Sequence, residues 1–346
     1  MAEAIRVAIN GFGVMGRHSI RAHQKDIKEG RLKEGEIEFV AVNDIAPISQ
    51  LAPLLEHDSV YLGFDGEVVA EDDDIIINGK RILGFSEKEP SKLPWGKLGI
   101  DVVYESSGVF ADSSKVRDHL KAGARKVYIS APSEVADVTI VPGINNHTYD
   151  PNKHSVVSGG SCTTNCLAPM AKAFLDRYGL YYGYMITTHA YTNDQRLVDT
   201  PHKDPPRAYA AALNIIPTTT GAAKAIGKVI PELEGRLHGT ARRVGVGSGS
   251  LVDLIIFLDD SDQKLSEEEV NKTMKDAADG YLKGILGYAK GPLVSSMILG
   301  KNVPSTFDAS QTHTNSKGEA KGSAWYDNVT GFSHQVIKGI GLVGRK

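Results

Sequence analysis

Three glycines, Gly11, Gly13 and Gly16, form a G-x-G-x-x-G turn directly after the apolar run IRVAIN (5–10) and before RHSIRAHQKDI, whose spacing predicts a helix. Strand, glycine turn and helix in that order leave few folds open. A second strand is expected at EFVAVND (38–44), beyond a polar stretch, 25–38, that reads as a helix end and loop. Two more apolar strands end in small polar residues, IDVVYESSG (100–108) and RKVYISAP (125–132), and between them DSSKVRDHLKAGA has a helical pattern. Such alternation predicts parallel strands joined by crossover helices, with ligands at the carboxyl ends of the strands.

After residue 161 the texture changes. YYGYMITTHAY, RRVGVGSGSLVDLIIFLD and PLVSSMILG read as long strand-like runs, and Ser266 with Glu269 forms a capping box that opens a helix. The polar segment 310–324 reads as a long exposed hairpin, and TGFSHQVIKGIGLVG as a terminal helix weakened by its glycines. We find no internal repeat. The expected fold class is an α/β Rossmann-like dinucleotide-binding domain, residues 1–161, plus an α+β catalytic domain with a mixed or antiparallel sheet, residues 162–330. The C-terminal helix 331–346 is expected to pack back onto the first domain.

Composition narrows the partners. The 346 residues are 41% hydrophobic, and 39 Lys and Arg against 42 Asp and Glu give a net charge of -3, too balanced for a general nucleic-acid or membrane binder. An anionic ligand must therefore be held locally. No apolar run is long enough to span a bilayer, and Glu3 and Arg6 stand where an export signal needs an apolar core, so a cytoplasmic location is expected. The two cysteines, Cys162 and Cys166, make neither a disulfide framework nor a structural zinc site, and no metal is expected.

Individual residues then suggest chemistry. The glycine turn can present backbone NH groups and a helix N-terminus to a pyrophosphate. Asp44, 33 residues after Gly11 and at the end of the second strand, suits the ribose hydroxyls of the adenosine and disfavours a 2'-phosphate, which favours NAD. Cys162 begins a pattern of Cys166, Leu167, Met170, Ala171, Phe174 and Leu175 that places it in the first turn of a helix, where NH groups and the macrodipole lower a thiol pKa. Cys166 reads as a small buried hydrophobe. His189, ending a strand-like run, is the natural base, although spacing alone does not pair it with Cys162.

Through NGFGVMGR, SCTTNCLAP, HAYTNDQR, NIIPTTTGAAKA and WYDN, in order and over nearly the whole chain, the sequence closely resembles the phosphorylating glyceraldehyde-3-phosphate dehydrogenase family. The resemblance implies Cys162 as nucleophile and His189 as its base, and usually a homotetramer. It implies anion contacts from Ser161, Thr163, Thr192, Thr220, Gly221 and Arg243, for a phosphorylated aldehyde and inorganic phosphate. For the cofactor it implies Asn10, Gly11, Phe12, Gly13, Asp44, Ser107, Ser130 and Asn328, with Val14, Met15, Gly16 and Lys88 alongside. Several positions depart from the family pattern. Val14 and Met15 replace an Arg-Ile pair, Lys88 stands where arginine is common, Thr200 replaces a leucine, and Val329, Thr330, Gly331 and Phe332 follow WYDN. These changes weaken discrimination, so NAD is expected to be preferred with NADP as a usable second cofactor. The alternatives left open are a paralogue acting on erythrose 4-phosphate or capturing arsenate, and a non-catalytic NAD-binding redox sensor.

Overall fold

The computed structural model describes residues 3–258, 264–315 and 318–345, and divides the chain into two compact units, Met1–Gly160 with Ser333–Lys346, and Ser161–Phe332. None of the helices among the described residues is long and apolar enough to cross a membrane.

The first unit is built on a nine-stranded sheet. Its strands are β1 (Ile5–Asn10), β2 (Ile37–Asn43), β3 (Val68–Glu71), β4 (Asp74–Ile77), β5 (Lys80–Phe85), β6 (Val102–Glu105), β7 (Lys126–Ile129), β8 (Val138–Thr139) and β9 (Val156–Ser158). They lie in the order β8-β9-β7-β6-β1-β2-β5-β4-β3. All pairings from β8 to β5 are parallel, and the edge meander β3-β4-β5 is antiparallel. The chain leaves β1 through helix α1 (Val14–Lys28) to β2 on one side, with helix α2 (Ile48–Glu56) following β2, whereas β6 lies against β1 on the other. The strand order thus reverses beside β1, the place where open α/β sheets bind ligands. The apolar runs predicted as strands are the buried core: Val7, Ile9, Val102, Val103 and Val127 are fully buried, and Trp95 fills the layer on one face. DSSKVRDHLKAGA forms a 3-10 turn, Ser114–Arg117, and a single α-turn, Asp118–Lys121, where a full helix was expected. Asp112, Ser113 and Ser114 favour local turns over helix continuation.

Helix α6 (Thr330–Gly344) opens at the end of the second unit and closes in the first. Its glycines serve packing. A Cβ on Gly339 would lie 2.2 Å from the hydroxyl of the fully buried Tyr128, so only glycine admits that ring.

The second unit carries an eight-stranded mixed sheet. Its strands are β10 (Tyr182–Ala190), β11 (Ile216–Thr218), β12 (Leu237–Val244), β13 (Ser250–Phe257), β14 (Leu286–Ala289), β15 (Ser305–Asp308), β16 (His313–Thr314) and β17 (Glu319–Tyr326). The order is β11-β12-β10-β13-β17-β15-β14, with β16 on β17. Helices α3 (Cys162–Tyr178), α4 (Ala222–Val229) and α5 (Glu267–Asp279) accompany it, and α5 has both capping-box bonds of Ser266 and Glu269.

Three expectations are corrected here. The run 242–259 is two strands, because the glycines of GVGSGS, with Gly249 at φ +92°, break it; its last residue, 259, lies outside the described residues. PLVSSMILG contains a 3-10 turn at Ser295–Ile298 and no strand. The segment 310–324 is only partly a hairpin, and residues 316–317 are outside the described set. From Glu319 it is a central strand between β13 and β15, with Ala320, Ser323 and Ala324 fully buried. Its polarity is internally satisfied, since the Ser323 hydroxyl donates to Asp253 at 2.6 Å and Lys321 pairs with the same carboxylate.

Candidate active site

In the second unit, Ser161 caps α3 by accepting the Thr164 amide at 3.0 Å, which puts Cys162 at the first helical position. Along β10 the inward side chains alternate through Gly183, Met185, Thr187 and His189. His189 faces Cys162, with Nε2 3.4 Å from Sγ. Strand register sets Arg243 on β12 directly beside His189, and its Nη1 lies 2.9 Å from His189 Nδ1, 3.1 Å from the Ala190 carbonyl and 3.1 Å from Thr192 Oγ1. Thr192 is held in turn, donating to Asp194 at 2.5 Å while Asp194 accepts from Arg207.

The electrostatics differ from the expectation of a lowered thiol pKa. Burial pushes the Cys162 thiol up, against the opposing effects of the Arg243 charge, the Thr163 hydroxyl and the helix-start amides. Burial and the adjacent guanidinium push His189 down to about 3, so its imidazole is neutral near pH 7. Both directions favour the uncharged forms of the two groups over an ion pair. Cys162 keeps partial exposure, whereas Cys166 is fully buried, with its thiol against Ser305 and the Ala324 carbonyl.

The predicted anion residues fall into two groups. Thr192 and Arg243 are joined by a hydrogen bond; Thr220 and Gly221 stand at the start of α4, leading out of β11, which pairs with β12 at Arg243. Ser161 spends its hydroxyl on the α3 cap. Thr163 is 4% exposed and its hydroxyl meets Tyr326 at 2.9 Å, so its side chain braces the site and does not face an anion. Sequence reasoning missed Tyr326, whose hydroxyl also meets Thr187 at 2.8 Å and thereby ties α3 to β10. The signal was available in WYDN, two residues before Asn328. The Asn328 carbonyl oxygen is crowded by Gly249 N, Ser248 Oγ and Ser250 Oγ, which leaves its amide NH2 as the group to meet a ligand.

The first unit holds a separate group of predicted residues. Gly11, at φ +94°, passes so close to the loop after β6 that a Cβ would lie 2.4 Å from the Ser107 backbone; Gly16 is similarly pressed on the Gly11 carbonyl. Helix α1 has no side-chain cap at Gly13, so its first amides remain open, and Asp44 accepts from Phe12 N at 2.7 Å and Ala46 N at 3.0 Å at the end of β2. A cradle that only glycine permits, an uncapped helix start and an adjacent carboxylate fit the pyrophosphate and ribose of a dinucleotide. Val14 and Lys88 are exposed, Met15 is half-buried, and Ser130 ends β7, donating to the Glu105 carbonyl at 3.3 Å. Two expectations change. Asn10 and Phe12 are buried, so Asn10 acts as a brace and Phe12 through its backbone. Asn10 donates to Glu105 at 2.7 Å and accepts from Asn43 at 2.7 Å; Glu105 also accepts from Ser107 N and Oγ and from His119, which itself accepts from Trp95 Nε1 at 3.0 Å. No group of three or more metal-ligating side chains occurs among the described residues.

An α/β dinucleotide-binding unit and a second unit that pairs a cysteine with a histidine define a two-domain NAD-binding oxidoreductase. The family model described as glyceraldehyde 3-phosphate dehydrogenase, NAD binding domain, matches residues 5–113, and the one described as its C-terminal domain matches 161–328. The chain belongs to the glyceraldehyde-3-phosphate dehydrogenase family. It is 48% identical over 334 residues to glyceraldehyde-3-phosphate dehydrogenase of Geobacillus stearothermophilus, covering 96% of each chain. It is 47% identical over 343 residues to glyceraldehyde-3-phosphate dehydrogenase 1 of Bacillus subtilis (strain 168), and 48% over 343 residues to the Mycolicibacterium smegmatis (strain ATCC 700084 / mc(2)155) enzyme, covering 99% of each chain in both comparisons.

Proposed function

We propose that the protein oxidises glyceraldehyde 3-phosphate with NAD and inorganic phosphate to 1,3-bisphosphoglycerate through a thioester on Cys162. The observation that carries this reading is the 3.4 Å approach of Cys162 Sγ to His189 Nε2 beside the Arg243 guanidinium. Sulfur adds to the aldehyde carbon as the thiol proton passes to His189, which hands that same proton to the former carbonyl oxygen to complete the hemithioacetal and is left neutral. His189 then holds the proton released from that hydroxyl when the C–H bond breaks. NAD, when bound, supplies the hydride acceptor. A phosphate oxygen next attacks the thioester carbon, and the C–S bond breaks with the thiolate as leaving group. Backbone amides at the start of α3 suit the oxyanion of both tetrahedral stages, each such donor contributing about 3 kcal/mol in comparable sites.

Thr220 and Gly221 suit the attacking phosphate, whereas Arg243 and Thr192 suit the phosphate carried by the substrate; Ser161, whose hydroxyl caps α3, shapes the site beside Cys162. Gly11, Gly13 and the start of α1 would hold the pyrophosphate, Asp44 the ribose, and Asn328 the carboxamide of the nicotinamide. Asp44 favours NAD over NADP. Arg17, which follows the glycine turn, does not replace the cation absent at Val14, because it is 8% exposed and donates to the Phe12 carbonyl at 2.8 Å. A homotetramer in the cytoplasm fits this reading, and Leu197, Leu213 and Ile215, at 80%, 85% and 73% exposure, offer apolar surface for subunit contacts.

One initial-rate panel tests the reading: aldehydes of different length, NAD against NADP, with and without phosphate, for wild type and Cys162→Ser. Phosphate-dependent NAD reduction on glyceraldehyde 3-phosphate, lost at least about 1000-fold in the variant, is expected. A higher kcat/KM with NADP would overturn the cofactor preference, and equal rates without phosphate or arsenate would overturn the phosphorolysis.

A further inference from the structure

Glu105, at the end of β6, is a buried carboxylate surrounded by donors. Its Oε1 accepts from the Ser107 amide at 2.8 Å and the Ser107 hydroxyl at 2.5 Å, and its Oε2 accepts from Asn10 Nδ2 at 2.7 Å and His119 Nε2 at 3.2 Å. All four groups donate, which matches the ionised form, an acceptor only. The histidine does not neutralise it. The fully buried indole of Trp95, which can only donate, gives its NH to His119 Nδ1 at 3.0 Å. Nδ1 therefore presents a lone pair, the ring proton sits on Nε2, and the imidazole is uncharged. The contact between His119 and Glu105 is a hydrogen bond from a neutral ring and leaves the negative charge in place.

That charge lies beneath the glycine turn. Asn43 Nδ2 donates to Asn10 Oδ1 at 2.7 Å, so one network joins the ends of β1, β2 and β6, where the strand order reverses, and Gly11 lies against the backbone of Ser107. In a protein interior a charge is felt farther than in water. Asp44, the other carboxylate of the cradle, is half-exposed and screened by solvent, and the buried Arg17 interacts with Asp58 and Asp44. The two forms of the coenzyme meet such a charge differently, because the nicotinamide ring is positive in NAD+ and uncharged in NADH.

We infer that Glu105 determines specificity for the oxidation state of the coenzyme: its buried negative charge favours NAD+ over NADH, so the cradle holds the oxidant and loosens once the ring has lost its charge. The inference rests on the reading of the glycine cradle as the coenzyme site. It gives the network a role beyond bracing, since hydride arrival cancels the charge on the ring and Glu105 then favours release of the product.

Calorimetric titration with NAD+ and with NADH, for wild type, Glu105→Gln and Glu105→Asp, separates charge from bracing. Gln keeps the length and removes the charge, whereas Asp keeps the charge and loses the reach. We expect Glu105→Gln to bind NAD+ about tenfold more weakly and NADH no more than about threefold more weakly, so that the ratio of the two affinities falls at least about threefold. Glu105→Asp should weaken both forms by the same factor and keep the wild-type ratio. A residue that only braced the two loops would leave the ratio unchanged in both variants. An unchanged ratio in Glu105→Gln, or an equal fall of the ratio in Glu105→Asp, overturns the inference. Infrared difference spectra of the wild type, free and with each coenzyme form, read the charge without removing it, with Glu105→Asp assigning the bands. An ionised Glu105 is expected in all three states; a carboxylic-acid band from it in any of them overturns the inference even if Glu105→Gln does not fold. Should the wild type bind neither NAD+ nor NADH, the coenzyme reading itself fails, whereas binding of both with an unchanged ratio in Glu105→Gln sinks the inference alone.

Discussion

At the scale of single residues, Cys162 and His189 were both named from sequence, but their ionisation was not legible there. A helix start does favour a thiolate, yet the burial of the sulfur and the charge of Arg243 depend on long-range packing that residue spacing does not encode. The depressed His189 pKa has a consequence for stability. An unfolded histidine titrates near 6.5 and the native one at about 3, so between those values the unfolded chain takes up a proton that the native one refuses. Stability is therefore lost as pH falls from 6.5 toward 3. His189→Asn removes that contribution, and urea unfolding at pH 7.5 and 5.0 should show the variant losing about 2 kcal/mol less than wild type over that interval.

At the scale of elements, strands with clean periodicity were legible, including β1, β2, β6, β7 and β10. Those broken by glycine or satisfied by buried polar pairs were not. β17 looked like an exposed hairpin because Lys321 and Ser323 are polar, and only their shared partner Asp253 on β13 shows that they belong inside. Helix α6 was undervalued for a related reason. Glycine weakens an isolated helix by about 1 kcal/mol relative to alanine, but here it admits a ring. Gly339→Ala should destabilise by about 2 kcal/mol, in the range of overpacked cores, and Tyr128→Leu in the same chain should recover most of that loss; chemical denaturation of the two single variants and the double variant checks the coupling. The loops after β1 and β6 are likewise braced from below by Glu105. Glu105→Gln places an NH2 group where Asn10, Ser107 and His119 already donate, and we expect NAD affinity to fall about tenfold, read by calorimetric titration, with the thiol reactivity of Cys162 unchanged.

At the scale of the whole molecule, the two-domain fold class was readable, because parallel-sheet and mixed-sheet segments differ in strand length and polarity. The surface proposed for subunit contacts was not, since exposed apolar residues in a loop carry no periodic signature. Leu213→Glu with Ile215→Glu should shift the proposed homotetramer to smaller species in sedimentation velocity at micromolar concentration; an unchanged coefficient would remove that loop from the interface.

The first unit is discontinuous in the chain, whereas the second is an uninterrupted insert between its two parts. On the ribosome the glycine turn is made early, yet residues 333–345, which bring Gly339 to Tyr128 and Gly344 to Ile5, are made only after all of 161–332. The nucleotide-holding half is thus begun first and finished last, so a nascent chain can complete its thiol-bearing half before the other has its closing helix.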